Sequence, residues 1–254
     1  MPTVKEIYDM LDCWAPVNTA LGFDMAGLLV GSGDRGVSKV AVCLDITADA
    51  VSRASALGAQ LIVSHHPVIF DPMRSIDTAH PVYRLAAADI SAVCAHTNLD
   101  AAVDGVNDAL AHALGMENVQ PLTDGDSDYP PMVRIGDVPK MSADEFAAFI
   151  KQRLGVGGVK YVPTAKAIRR VAVCGGAGGE FVFDALKDGC DALVTGESKH
   201  HLNLFARENG IALYVCGHFA TEQVIKNRIA KRLADSFGSL EVIVLDESDP
   251  AKYL

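Results

Sequence analysis

Two kinds of hydrophobic pattern alternate along the first hundred residues. Gly27-Leu28-Leu29-Val30-Gly31, Val40-Ala41-Val42-Cys43-Leu44, Ala59-Gln60-Leu61-Ile62-Val63 and Ser91-Ala92-Val93-Cys94-Ala95 are short apolar runs bounded by polar or turn residues, the signature of buried strands. Between them, Thr47 to Leu57 places Ala50, Val51, Ala54 and Leu57 on one helical face, and Val4–Leu11, Pro81–Asp89 and Val106–Leu114 also carry helical spacing. Strand, helix, strand at this spacing predicts parallel units with right-handed crossovers.

The composition changes from Asn118 to Pro131, where Thr123-Asp124-Gly125-Asp126-Ser127-Asp128-Tyr129-Pro130-Pro131 reads as a loop or linker. Beyond it, Met132–Gly136 and Val159–Val162 are candidate strands. Ser142-Ala143-Asp144-Glu145 is a capping box opening a helix to about Leu154, which Gly155-Val156-Gly157-Gly158 ends.

The second half then repeats the first. Val40–Cys43 matches Val171–Cys174, and Leu57–Ser64 matches Asp188–Thr195, both at an offset of 131 residues. Val93-Cys94-Ala95-His96, with Asp100 four residues on, matches Val215-Cys216-Gly217-His218, with Glu222 four residues on, at an offset of 122. Three ordered matches indicate one supersecondary unit used twice. The expected fold is α/β: two related lobes, 1–122 and 131–254, mostly parallel strands, a linker at about 123–130, and a C-terminal segment able to pack back on the first lobe.

Half the chain is apolar and 21% is charged, so a sizeable core forms. A mean hydropathy of +0.20 leaves apolar surface for subunit interfaces, although a large core gives the same value. The net charge of −10, without a basic run, argues against nonspecific binding to nucleic acid or an anionic membrane. No stretch reaches the roughly 18 to 20 apolar residues of a membrane span, and Met1–Glu6 has no secretory pattern. Six dispersed cysteines without a C-x-x-C pair read as buried free thiols in a reducing cytoplasm.

Chemistry concentrates where strands end. Ser64-His65-His66-Pro67 closes one apolar run on two imidazoles, which strand alternation would point to opposite faces. Taken alone, such a pair is as readily two exposed side chains. His96 with Asp100, and His218 with Glu222, have the i, i+4 spacing that puts both groups on one face of a helical turn. Singly, each is as readily a helix start or a satisfied core histidine. Jointly, these groups gather at the carboxyl ends of parallel strands, where α/β proteins build sites.

Imidazole and carboxylate without thiolate suit Zn, Mn, Fe, Co or Ni. The donors exceed one tetrahedral ion and suit two divalent ions about 3.5 to 4 Å apart. Water on such ions loses a proton near neutral pH and becomes a hydrolytic nucleophile. His96 or Glu197 can then move the proton, and His200 and His201 can meet an anionic substrate or simply open a helix. Gly175-Gly176-Ala177-Gly178-Gly179 follows a strand; its amides can face a phosphate, but a plain tight turn fits as well.

Asp24-(x2)-Gly27-Leu28-Leu29-Val30-Gly31, His65-His66-Pro67, His96-Thr97-Asn98-Leu99-Asp100, Thr195-Gly196-Glu197 and Gly217-His218-(x3)-Glu222 together resemble the GTP cyclohydrolase 1 type 2 homologue family, the NGG-interacting-factor-like proteins, from about residue 4 to 230. Asp24-Met25-Ala26-Gly27 departs from the more usual Asp-Asn-Val-Gly. The resemblance implies metal ligands at His65, His66, Asp100, His218 and Glu222, with His96 beside the ions. It also implies metals between two lobes, a toroidal homohexamer, and hydrolytic opening of the guanine ring of GTP with loss of formate. A non-catalytic metal-dependent scaffold and a dinuclear phosphoesterase are the alternatives.

Overall fold

The computed structural model describes residues 1–123 and 131–252. In chain order its strands are β1 Gly27–Val30, β2 Lys39–Cys43, β3 Leu61–Ser64, β4 Ser91–Cys94, β5 Glu117–Pro121, β6 Arg134–Met141, β7 Lys160–Val162, β8 Ile168–Cys174, β9 Ala192–Thr195, β10 Ala212–Val215 and β11 Glu241–Val244. The helices are α1 Val4–Trp14, α2 Ala48–Ala56, α3 Pro81–Ala87, α4 Thr97–Ala101, α5 Val106–Ala113, α6 Ala143–Leu154, α7 Val182–Lys187, α8 His200–Asn209, α9 His218–Glu222 and α10 Lys226–Ser236. Among these residues no helix is long and apolar enough to cross a membrane. The chain forms two compact units, Met1–Val103 with Ile225–Ser248, and Asp104–Val224 with Asp249–Leu254.

The first unit is built on a sheet of order β1-β4-β3-β2-β11. β2, β3 and β4 run parallel through the crossovers α2 and α3, while β1 lies antiparallel on β4. β3 is buried at all four residues, as a strand covered on both faces must be. Ala41, Cys43, Ile62 and Ala92 share one core with Ala50, Val51 and Ala54 of α2 and Leu85 of α3. The C-terminal segment joins this unit: β11 pairs parallel with β2. Glu247 then accepts from the amides of Leu44 (2.8 Å) and Asp45 (3.1 Å) and from Lys226 Nζ (2.9 Å), fixing the end of β2.

The second unit carries the order β5-β6-β8-β9-β10-β7. Its parallel centre, β8-β9-β10, reproduces β2-β3-β4 in order and direction, and an antiparallel strand flanks the outer member in each. This is the repeat seen in the sequence. Val171, Val173 and Val194 face α5 and α6. Ala172, Leu193 and Leu213 face the opposite core with α7 and α8. The second sheet is less parallel than expected, because β6 runs antiparallel to both of its neighbours, β5 and β8.

Residues 104–122, read from sequence with the first lobe, are grouped with the second unit: Leu110 and Leu114 pack with Phe146 and Ile150. Within the loop expected at 118–131, residues up to Pro121 belong to β5. Its five exposed side chains carry no apolar pattern; it pairs antiparallel with β6, and Asn118 Nδ2 donates to Asp137 Oδ2 at 3.1 Å. The linker expected at 123–130 lies, apart from Thr123, outside the described residues. β6 extends past the predicted Gly136 to Met141, with a register shift between Asp137 and Met141 that absorbs Pro139, a residue without an amide donor. The capping box is formed at Ser142, and Gly155 closes α6 in the left-handed conformation.

Candidate metal centre

In the first unit the strand β3 stops at Ser64, one residue before the paired histidines. The alternation expected of His65 and His66 therefore does not apply, and their rings lie only 5.0 Å apart. Backbone pairing continues along β2: the His66 amide donates to Leu44 O at 2.9 Å. His96, at the end of β4, brings its ring within 5.2 Å of His65 and 5.6 Å of His66. The ligand nitrogens of the three histidines all lie within 4.8 Å of one another. Asp100, one turn into α4, sets Oδ1 3.6 Å from His65 Nε2. His65 is fully buried and Asp100 nearly so.

Each of these imidazoles is held through Nδ1. His65 Nδ1 meets Ala95 O at 3.0 Å, His66 Nδ1 meets Asp45 Oδ1 at 2.8 Å, and His96 Nδ1 meets Asp24 Oδ1 at 2.8 Å. Asp24 also accepts from the amide (3.0 Å) and hydroxyl (2.5 Å) of Thr97. Burial alone pushes the Asp24 carboxyl up; the hydrogen bonds from His96 and Thr97 outweigh it and bring it down to about 2. Asp24 is thus a fixed anion orienting His96.

The second unit holds a smaller array, one imidazole between two carboxylates. Gly217, at φ +93°, turns the chain from β10 into α9. One turn later Glu222 Oε2 lies 3.0 Å from His218 Nε2, the contact expected of i, i+4. His218 Nδ1 meets Glu197 Oε1 at 2.7 Å, so Glu197 is engaged as the orienter of this ring. Within the glycine cluster, Gly176 makes room for Glu222. Gly176 donates to Thr221 Oγ1 at 3.1 Å, and a Cβ added at Gly176 would lie 2.1 Å from Glu222 Oε1. A cavity of about 240 Å³ opens beside Glu197, with Glu180, Ser198 and Lys199 in its lining. His201 is exposed with Nε2 3.9 Å from Glu180, and neither His200 nor His201 belongs to a metal-type cluster among the described residues.

All four imidazoles therefore present Nδ1 to an oxygen acceptor. Such an acceptor draws the ring proton to Nδ1 and leaves the lone pair on Nε2, the state in which histidine ligates metals. In that state His218 Nε2 and Glu222 Oε2 are two lone-pair donors face to face, as are His65 Nε2 and Asp100 Oδ1, at hydrogen-bond and near-contact distance. Each pair is complementary when a proton or a metal ion is shared between its two atoms. Cys94, two residues before His96, instead donates to His65 O at 2.9 Å. The residues thus fit a divalent ion of the imidazole- and carboxylate-binding class.

Asp45 and the anchoring role of Asp24 were not read from sequence. Asp45 occupies at the end of β2 the position that His65 and His66 occupy at the end of β3, and that strand-end placement is the signal that points to it.

Parallel strands whose carboxyl ends carry oriented imidazoles and carboxylates define an α/β protein with groups able to hold metal. The chain belongs to the Duf34/NIF3 (NGG1p interacting factor 3) family, whose profile matches residues 2–250. It is 30% identical to a Clostridium perfringens protein named GTP cyclohydrolase 1 type 2 homolog, covering 99% of both chains. A Streptomyces coelicolor protein of the same name is 35% identical over 87% of this chain and 82% of its own. Among solved structures, Staphylococcus aureus hypothetical protein SA1388 superposes with a TM-score of 0.92 at 27% identity over the whole of both chains. Reduced HcgD from Methanocaldococcus jannaschii gives 0.81 at 28% identity, covering 96% of this chain and 98% of that one.

Proposed function

We propose that the chain is a dinuclear metal-dependent hydrolase of a nucleotide or similar small anion, with ring-opening hydrolysis of GTP as the candidate reaction. The observation that carries this reading is the common orientation of four imidazoles, each tied at Nδ1, with Nε2 of His65 and of His218 beside a carboxylate. The residues that would hold the two divalent ions (Zn, Mn, Fe, Co or Ni) are, as the resemblance implies, His65, His66, Asp100, His218 and Glu222. Bound there, such ions would supply the acidity that turns a water into a nucleophile at neutral pH. His96, fixed by Asp24, takes and returns a proton at Nε2, and Glu197 keeps His218 in its ligating orientation. The names of the relatives support GTP as the first substrate to test. The resemblance extends the proposal to a cytoplasmic homohexamer of the 26.9 kDa chain, without a membrane or nucleic-acid partner.

The test is a metal-reconstituted nucleotide screen, with ion content measured by elemental analysis and assembly by light scattering. Expected are two ions per chain and formate released from GTP. His65→Ala lowers the ion content. His96→Ala keeps the ions and lowers turnover by about 10² to 10⁴, the usual worth of a positioned acid–base group. Phosphate without formate would make the protein a phosphoesterase. No turnover of any nucleotide, with loss of assembly on chelation, would make it a scaffold and end the hydrolase reading.

A further inference from the structure

Two exposed aromatic rings stand beside the first-unit histidines. Phe23 is 62% exposed and Phe70 is 51% exposed, yet their centroids are 6.3 Å apart with the planes inclined by 48°. Phe70 also meets His96 edge-on, at 6.4 Å and 75°.

Their placement is imposed by the chain around them. Phe23 sits in the turn closed by the Asp24 amide on Leu21 O (2.8 Å), and Leu21 donates its own amide to Thr97 Oγ1 (2.9 Å). Asp24, the next residue, is the anchor of His96. Phe70 follows His66-Pro67 by three residues. The turn that orients one site imidazole thus holds a phenylalanine out in water, and a second phenylalanine lies against both the first and that imidazole. An inclined pair leaves an open wedge in which a planar ring can lie on one face and meet the other edge-on, the two arrangements aromatic quadrupoles favour. His96, the polar ring that Phe70 meets, suits the substituents of a heteroatomic ring more than an apolar protein face does.

We infer that Phe23 and Phe70 form a stacking subsite for a planar heteroaromatic ring of the purine class, which seats the base of the substrate beside His96. The inference deepens the hydrolase reading and rests on it for its setting, but its test does not use turnover. Equilibrium binding of GMP and of ribose 5-phosphate to the full chain is compared by calorimetry, with the mass of the assembly followed in parallel. GMP binds at least about tenfold more tightly than ribose 5-phosphate. Phe23→Ala and Phe70→Ala each weaken GMP about 5- to 100-fold, the range for removing one base-stacking ring. Neither changes the affinity for ribose 5-phosphate, and Phe70→Tyr restores GMP binding.

Equal or undetectable affinities for the two ligands overturn the inference, as does GMP binding indifferent to both alanines. A fall in assembly mass with GMP binding intact also overturns it, and assigns the rings to a contact between copies. A chain that binds GMP through these rings and hydrolyses nothing refutes the hydrolase reading alone. A chain whose hydrolysis and binding ignore both rings refutes the subsite alone.

Discussion

Gly176 stands at φ +59°, and the Cβ it lacks would sit 2.1 Å from Glu222 Oε1 and 3.2 Å from His218 Nε2. The glycine therefore serves two purposes, a left-handed turn and room for a buried carboxylate. Gly176→Ala is expected to destabilise the chain by about 1–2 kcal/mol through the backbone alone and to displace Glu222 besides. Bound metal measured by elemental analysis then falls. Gly58→Ala separates the two effects, since Gly58 has φ +74° with nothing within 4 Å of its added Cβ. It carries the strain without the clash and leaves metal content unchanged; equal losses in both variants would remove Gly176 from the site. At this scale the sequence showed ligand-type residues where they follow apolar runs, as with His65, His66, His218 and Glu222. It hid the anchors. A carboxylate orients a ring only if the fold supplies it, and Asp24 and Asp45 meet histidines 72 and 21 residues away.

Elements were legible in proportion to how far local chemistry and burial agree. The helix α6 has both: Ser142 and Glu145 cap each other's backbone, and Phe146, Ala147 and Ile150 make its buried face. Phe146 is fully buried, edge-on to Tyr214 at 5.1 Å and stacked on Phe149 at 6.1 Å. Tyr214 in turn donates to Ala143 O at 3.0 Å, tying α6 to β10, the strand that leads to His218. Phe146→Ala is accordingly expected to lower the unfolding free energy by about 3–5 kcal/mol, read from urea denaturation. Loss below about 1 kcal/mol would mean that this face is not packed as described. The strand β5 and the C-terminal α10 and β11 were not read. β5 is exposed throughout, and β11 carries only partly buried and exposed residues at the edge of a sheet, so neither shows a strand's alternation. Their pairing partners, β6 and β2, decide them, and those are tertiary facts.

Over the whole molecule the repeat was the most legible feature, because β2-β3-β4 and β8-β9-β10 keep their apolar residues in register while their strand ends diverge from His65-His66 to Gly196-Glu197. The composition of the two cores also sets the behaviour of the cysteines. Cys43 and Cys94 are buried in the first unit and Cys174, Cys190 and Cys216 in the second; Cys13 alone of the six is exposed. Burial pushes the Cys43 and Cys94 thiols far up, Cys190 to about 11 and Cys216 to about 12. Thiolate is the reactive form, so at pH 8 the folded chain is expected to take up one equivalent of an alkylating reagent, at Cys13, and six in denaturant, with mass spectrometry locating the labels. The same shifts set a sign for pH. The unfolded thiols ionise from about pH 8.5 while the folded ones stay neutral. Stability is therefore whole below that pH and declines as pH climbs toward the raised folded values. Because the buried thiols fall in both units, raising denaturant in steps and mapping each newly labelled cysteine shows which core opens first. Rapid native labelling at any position other than Cys13 would contradict the packing of the core that contains it.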